Sequence, residues 1–264
     1  MTPPVESSGL AVEELVVRYS GNCAVDRLTL EAPVGRITGL IGPNGAGKTT
    51  TFNACSGLVR SASGSVHFGG VDLTRRSAAA RARAGLGRTF QHMLLYSSMT
   101  VAENVALGRE ATLAGANPLR QFIASRSDRA EIARASAEAL ELCDLDAVAA
   151  EAVDTLPTGS RRLVELARAY AGGYPLLLLD EPSSGLDRDE TERFGEILRT
   201  MVERRGIGIL LIEHDMSLVM SVCQYIYVLD FGVLIFEGRA DETRASATVR
   251  DAYLGSADLE ERVL

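Results

Sequence analysis

Between an apolar run at 37–41 and an apolar-spaced segment that continues to Leu58, the chain carries Gly42, Asn44, Gly45, Gly47, Lys48, Thr49 and Thr50 in the spacing Gly-x4-Gly-Lys-Thr. Glycines at these positions let successive backbone N–H groups turn toward phosphate oxygens, and a helix beginning there adds the positive end of its dipole. Lys48 brings a full charge to the β and γ phosphates, and Thr49 offers its hydroxyl to Mg2+. Asp180 and Glu181 follow four consecutive leucines at 176–179. In a nucleotide hydrolase, a carboxylate at the end of a buried strand holds Mg2+, usually through water, while a second group orients the attacking water. Strand alternation sends the two side chains in different directions, so that Asp180 serves the metal and Glu181 faces the γ-phosphate as general base.

These groups need strands and helices to hold them. Residues 10–19, 28–32 and 36–41 read as strands around a turn at Ser20, Gly21 and Asn22, forming a small β region that leads into the loop. A short strand at 65–68 turns at Gly69 and Gly70, a helix covers 77–84 and a strand returns at 86–90. Thr100 and Glu103 have the spacing of a capping box, which predicts a helix from Val101, and from there to about Ala171 the chain reads as almost entirely helical. Ile132, Ala135, Ala139 and Leu142, then Leu163, Leu166, Ala167 and Tyr170, repeat at helical spacing and read as core. The leucines at 176–179 suit a strand buried on both faces of a parallel sheet. Asp187 with Glu190 caps the next helix, which ends at Gly206 and turns Phe194, Ile197, Leu198, Met201 and Val202 inward. Residues 209–212 form another buried strand, and 226–229 and 233–236 a hairpin around Asp230, Phe231 and Gly232. That tripeptide spells a kinase motif, but no kinase catalytic loop precedes it, which leaves the turn reading.

At 264 residues and 46% hydrophobic composition, the chain can bury the core of one large domain or two closely joined subdomains. A formal net charge of -8 argues against general nucleic-acid binding. Cys23, Cys55, Cys143 and Cys223 are widely spaced with no Cys-x2-Cys pair, which indicates neither a zinc site nor a disulfide framework and fits a reducing cytoplasm. No apolar run has the length of a bilayer span, and residues 1–9 are polar and proline-containing, unlike a signal peptide. At a membrane, another chain has to hold this one.

The loop at 42–50, Gln91 after Phe90, the segment 156–160, the run 176–182, the segment 184–187 and His214 occur in the order and approximate spacing of the ATP-binding-cassette nucleotide-binding domain, which the chain resembles over nearly its whole length. Within that family, 88–91, 99–105, 212–216 and 249–255 resemble the ATPase subunits of branched-chain amino acid-type importers. The resemblance implies an α/β fold: a P-loop NTPase core with a mostly parallel sheet, a small antiparallel β subdomain and an inserted α-helical subdomain. After a flexible start at 1–9, a single nucleotide-binding domain at 10–264 would divide into a RecA-like core with β subdomain (10–90 and 172–264) and a helical subdomain (91–171).

It also implies roles. Tyr19 stacks on adenine, Gln91 senses Mg2+ and the attacking water, and His214 contacts the γ-phosphate. Two domains pack head to tail, so that Gly159 and the helix start after it offer N–H groups to the partner's γ-phosphate, with Asp187 across the same interface. ATP and Mg2+ are the implied ligands. The implied partners are permease subunits, a second ATPase subunit of the same or a different chain, and a solute-binding protein, without nucleic acid or direct lipid insertion. The implied place is the cytoplasm, peripheral at the inner face of the plasma membrane. Residues 92–103, with apolar Met93, Leu94, Leu95, Tyr96 and Met99, read either as the permease-docking surface or as plain core.

The signature departs from the family pattern Leu-Ser-Gly-Gly-Gln: Pro157 stands where serine would meet phosphate, Thr158 for the first glycine and Ser160 for glutamine. Proline has no donor to offer. Thr158 or Ser160 partly replaces the lost hydroxyl, or the chain pairs with a different ATPase subunit and one of two sites is weaker. An exporter ATPase shares every catalytic residue and stays open as an alternative. A non-transport cassette of DNA repair or translation commonly carries long insertions or tandem cassettes, which a single acidic cassette of this length lacks. A switch-type GTPase needs guanine-specific loops that are not found here.

Overall fold

Strand β1 (Gly9–Tyr19) turns tightly into β2 (Asn22–Pro33) through Ser20 and Gly21. Both turn residues have positive φ, 46° and 94°, as a two-residue hairpin matched to strand twist requires. The computed structural model describes residues 9–89, 93–116 and 125–254. Strand β4 (Ser63–Phe68) pairs with the other edge of β1 and β5 (Val71–Asp72) with β4, giving an antiparallel sheet in the order β2-β1-β4-β5.

The second sheet is built from β3 (Ile37–Ile41), β6 (Leu86–Arg88), β7 (Leu176–Asp180), β8 (Gly208–Ile212), β9 (Tyr225–Asp230) and β10 (Val233–Gly238). Its order is β10-β9-β3-β8-β7-β6, parallel except for the antiparallel hairpin of β9 and β10. Every residue of β3, β7 and β8 is buried, and the four leucines of β7 serve both faces. Leu177 and Leu179 join the core beneath the helices, while Leu176 and Leu178 join the core facing the antiparallel sheet. Leu40 pairs with Ile212 and Asp180 with Ile212, so the carboxyl ends of three parallel strands stand level. Loops that leave from such ends are where open α/β sheets bind ligands.

Nine helices are described: α1 (Lys48–Cys55), α2 (Ala78–Ala84), α3 (Val101–Ala116), α4 (Arg126–Leu142), α5 (Thr158–Ala171), α6 (Arg188–Arg205), α7 (Met216–Val222), α8 (Ala240–Ala245) and α9 (Ala247–Leu254). Helices α3, α4 and α5 pack on one another, burying Val101, Val105, Ala139, Val164 and Tyr170. Helix α3 starts at the cap read from sequence: Thr100 N donates to Glu103 Oε2 (2.8 Å) and Glu103 N to Thr100 Oγ1 (3.2 Å). Asp187 and Glu190 close the same reciprocal box on α6, which ends at Gly206 in the left-handed region.

Some expectations need correction. The stretch from Val101 to Ala171 is not continuously helical: 143–157 contains turns and two short 3-10 segments, Asp146–Val148 and Val153–Thr155, ahead of Pro157. Proline at that point sets the start of α5 rather than continuing α4. The first helix ends at Cys55, short of the end of the apolar-spaced segment at Leu58; Gly57 takes φ 78° just past it, and the buried Arg81 guanidinium caps its end, Nη1 donating to Ala54 O (2.7 Å) and Cys55 O (2.8 Å). Strand β2 begins at Asn22, six residues before the expected 28, and Gly9 already belongs to β1. Residues 1–8, Phe90, Gln91 and His92, part of the stretch read as helical, and the tail from Gly255 lie outside the described residues.

Candidate nucleotide site

The loop after β3 owes its path to its glycines. Gly42 has φ 148°, and a Cβ there would collide with the carbonyl oxygen of Leu229; Gly47 has φ 99°, and a Cβ there would sit 2.5 Å from Ala24 O. An L side chain at either position is therefore excluded by conformation and by space together. Helix α1 then starts at Lys48 with no side chain capping its first turn and no acidic residue in it. Its leading N–H groups have no carbonyl partner within the helix, and the dipole makes that end receptive to an anion. Asn44, Gly45 and Thr49 are exposed, Thr50 is half-buried, and Lys48 is buried. Lys48 Nζ donates to Gly42 O (2.6 Å) and Pro43 O (2.9 Å). Burial holds its ammonium below the ordinary lysine range, opposed by the charges of Glu181 and Asp180.

The carboxylates meet that lysine from β7. Asp180 is 1% exposed at the end of the strand; its Oδ2 is 3.3 Å from Arg88 Nη2, and its Oδ1 is buried without a hydrogen-bond partner. Burial pushes the Asp180 carboxyl up, with Arg88 pulling it down and Glu181 adding to the rise. An orphaned buried carboxylate oxygen at the strand end and an exposed threonine hydroxyl on the phosphate loop are hard oxygen donors of the kind that fits Mg2+. Glu181 lies past the strand, half-buried, with its N–H donated to Ile212 O (2.9 Å) and φ at 50°. Strand alternation therefore stops at Asp180, since the strand ends there and the backbone enters the left-handed region at Glu181. A non-glycine residue there carries backbone strain of about 1 kcal/mol or more.

Sequence reasoning missed Arg88 as a site residue. From β6 it ties Asp180 to α1, Nη1 donating to Asn53 Oδ1 (2.8 Å) and Ser56 Oγ (2.7 Å), with its guanidinium 5.9 Å from the Phe52 ring centre. Tyr253 on α9 was also missed: it is buried, and the Gly42 backbone acts on its hydroxyl, so the C-terminal helix reaches the base of the phosphate loop. No local signal marks either contact, because both depend on which strands and helices become neighbours.

His214 follows β8, next to the β7 end; its side chain is half-exposed and its N–H donates to Glu213 Oε2 (3.2 Å). Tyr19 ends β1 with its side chain 44% exposed, available to stack. Thr158, Gly159 and Ser160 form the first turn of α5, whose N-cap Pro157 supplies no side-chain bond. Their close neighbours are in the 183–190 segment: Arg162 Nε donates to Ser184 O (3.3 Å), and Glu190 lies where a Cβ on Gly159 would be. The structure thus gathers Lys48, Thr49, Asp180, Glu181 and His214 at the level strand ends, and sets Thr158, Gly159, Ser160 and Asp187 together as a separate group. Asp187 spends its Oδ1 on Glu190 N (2.9 Å), while Gln91 lies outside the described residues.

Comparison with known proteins agrees with this geometry. The sequence model of the family described as "ABC transporter" matches residues 25–184. The chain is 36% identical over 250 residues to the high-affinity branched-chain amino acid transport ATP-binding protein LivG of Salmonella typhimurium, covering 94% of this chain and 98% of that protein. It is 34% identical over 253 residues to the corresponding protein BraF of Pseudomonas aeruginosa, at 94% and 98% coverage. Among solved structures, an ATP-binding cassette of an ABC transporter in its ADP conformation superposes with a TM-score of 0.81 at 27% identity, covering 94% of this chain and 98% of that one.

Proposed function

The chain belongs to the ABC transporter family, and from that premise we propose that it is the Mg2+-dependent ATPase subunit of an importer for branched-chain amino acids or a related small solute. The observation that carries the chemistry is the convergence of Lys48, Asp180 and Glu181 at the carboxyl ends of β3 and β7, each felt in the electrostatics of the lysine. The names of LivG and BraF support the solute class.

In this reading the first N–H groups of α1 and the Lys48 ammonium hold the β- and γ-phosphates. Mg2+, when bound, would neutralise charge on those phosphates, and Thr49, Asp180 and Gln91 would hold it. Glu181 accepts the proton of the water that adds to the γ-phosphorus as the bond to the bridging oxygen breaks and ADP leaves, and His214 binds a γ-phosphate oxygen. Asn44, Gly45, Gly47 and Thr50 line the phosphates, and Tyr19 stacks on the adenine. A second ATPase subunit presents its own Thr158, Gly159, Ser160 and Asp187 to complete the site, so ATP closes a dimer. Helices α3–α5 form an arm, and the exposed Leu94 and Tyr96 beside it form part of the surface that receives the permease. Among the described residues no helix is long and apolar enough to cross a membrane, which supports attachment through permease subunits at the inner membrane face, in a system that includes a solute-binding protein.

The test is reconstitution with permease subunits of a branched-chain amino acid importer. Uptake of leucine, isoleucine or valine into vesicles, dependent on internal ATP and Mg2+ and absent with GTP alone, is the expected result. ATP-driven export from the same vesicles would replace the importer reading with the exporter one.

A further inference from the structure

Glu213 is fully buried, and neither oxygen of its carboxylate is idle. Oε1 accepts both the Ser183 N–H (2.9 Å) and the Ser183 hydroxyl (2.7 Å). Oε2 accepts the His214 N–H (3.2 Å) and lies 3.9 Å from His214 Nδ1. One side chain therefore joins the loop that leaves β7, two residues past Glu181, to the loop that leaves β8. Beneath it lies buried Cys223, at the end of α7. Among the described residues its sole ion-pair partner is the half-exposed His214, with no lysine or arginine to offset the charge.

A carboxylate in such a place is costly to bury, and burial pushes the Glu213 carboxyl up from its ordinary range. Holding two loops together does not need a charge, since a neutral amide can accept from Ser183 equally well. What the amide cannot do is accept on both sides, because one of its two ends carries only donors. The second carboxylate oxygen is what reaches the histidine. The segment that Ser183 begins runs on to Asp187 and packs against the N-terminal part of α5, Ser184 O accepting from Arg162 and Gly185 lying against Thr158.

We propose that Glu213 is a positioning residue that couples His214 to the 183–187 segment, so that the γ-phosphate contact on one side and the subunit-facing segment on the other take up their working arrangement together. The proposal rests on the reading of His214 and Glu181 given above. Glu213 touches neither nucleotide nor water; it acts through the two groups it holds. Its removal should lower the turnover of bound ATP and leave the binding of ATP intact.

The test compares Glu213→Gln, Ser183→Ala and the double variant in the assembled transporter, reading kcat, KM for ATP and the thermal midpoint. Glu213→Gln is expected to lower kcat about tenfold with KM within twofold and the midpoint unchanged. Ser183→Ala, which keeps the backbone donor and removes the hydroxyl alone, is expected to lower kcat about threefold. The double variant should fall no further than Glu213→Gln, because the two act as one unit. If Glu213→Gln fails to fold, Ser183→Ala decides the matter by the same split. A kcat within twofold of the wild type in a folded variant, or losses that multiply, overturns the coupling. Glu181→Gln is assayed alongside: normal turnover there overturns the reading of the site itself, and with it the proposal. An inactive Glu181→Gln beside an unaffected Glu213→Gln overturns the proposal alone.

Discussion

Arg88 and Asp180 form an ion pair 3.3 Å apart in which the side chains are 8% and 1% exposed, although 92 residues separate them in sequence. The same guanidinium holds Asn53 and Ser56 of α1, so the helix that receives phosphate and the strand that presents the carboxylate are braced by one group. Breaking a buried pair by removing one member leaves the other charge uncompensated and costs about 3 kcal/mol or more. Arg88→Ala is expected to destabilise the fold by that order in urea denaturation and to lower ATPase activity with it. Arg88→Lys should recover only part of the loss, since an ammonium cannot serve Asp180, Asn53 and Ser56 in one plane. A loss within about 1 kcal/mol for Arg88→Ala would show that the pair contributes little.

Binding and hydrolysis separate along the two strands. Lys48→Ala removes the charge on the phosphates, and its expected effect is a rise in the Kd for ATP of about tenfold or more, seen by calorimetry. Glu181→Gln keeps the shape and loses the base, so kcat should fall by about a hundredfold or more while ATP binding persists and the closed dimer accumulates in gel filtration. Retained turnover in that variant would falsify the general-base assignment.

Glu138 on α4 pins the helical arm to the core, where α6 ends. Its Oε1 accepts from Arg205 Nε (2.8 Å) and Tyr170 Oη (3.0 Å), and its Oε2 lies 2.7 Å from Arg205 Nη2. The hydrogen bond from Arg205 is the largest cause that holds the Glu138 carboxyl below its ordinary range, against a smaller opposing effect of burial. A carboxylate whose folded-state value is depressed contributes stability above its unfolded value near 4.5, and loses it as pH falls through the folded value. Wild type should therefore be more stable than Glu138→Gln by about 1 kcal/mol at pH 7, with the gap closing below pH 4.5. Urea denaturation of both proteins at a series of pH values from 7 down through and below 4.5 checks the sign; a gap that widens in acid contradicts it.

Local chemistry made much of this legible in the sequence. The phosphate loop, the reciprocal caps at Thr100 with Glu103 and Asp187 with Glu190, and the leucines of β7 each depend on residues a few positions apart. The contacts of Arg88 with Asp180 and of Glu213 with Ser183 do not, because they exist only once β6, β7 and β8 lie side by side. The alternation argument for Asp180 and Glu181 assumed a strand running through both residues, and a pattern of residue types does not reveal that Glu181 adopts φ 50°. Helices α7, α8 and α9 are short, and only periodicity longer than two turns would have announced them.

Pro157 offers the last test. It occupies the N-cap of α5 with φ -62° and ψ 161°, a backbone that serine adopts without strain. Pro157→Ser thus places a hydroxyl at the end of a helix whose first-turn N–H groups have no side-chain partner. Two effects on stability nearly cancel: the cap contributes about 1 kcal/mol, and loss of proline frees the unfolded chain by about 0.4–1 kcal/mol. The melting temperature should accordingly move little, so that any change in ATPase belongs to the site. If the signature of one subunit completes the site of another, the new hydroxyl gives the γ-phosphate a donor that proline lacks, and steady-state ATPase of the assembled transporter should rise several-fold. The isolated chain should respond the same way if it pairs with itself. Unchanged rates in both settings mean that Thr158 and Ser160 already supply what the phosphate needs, and the weakened-site explanation for this unusual signature then falls.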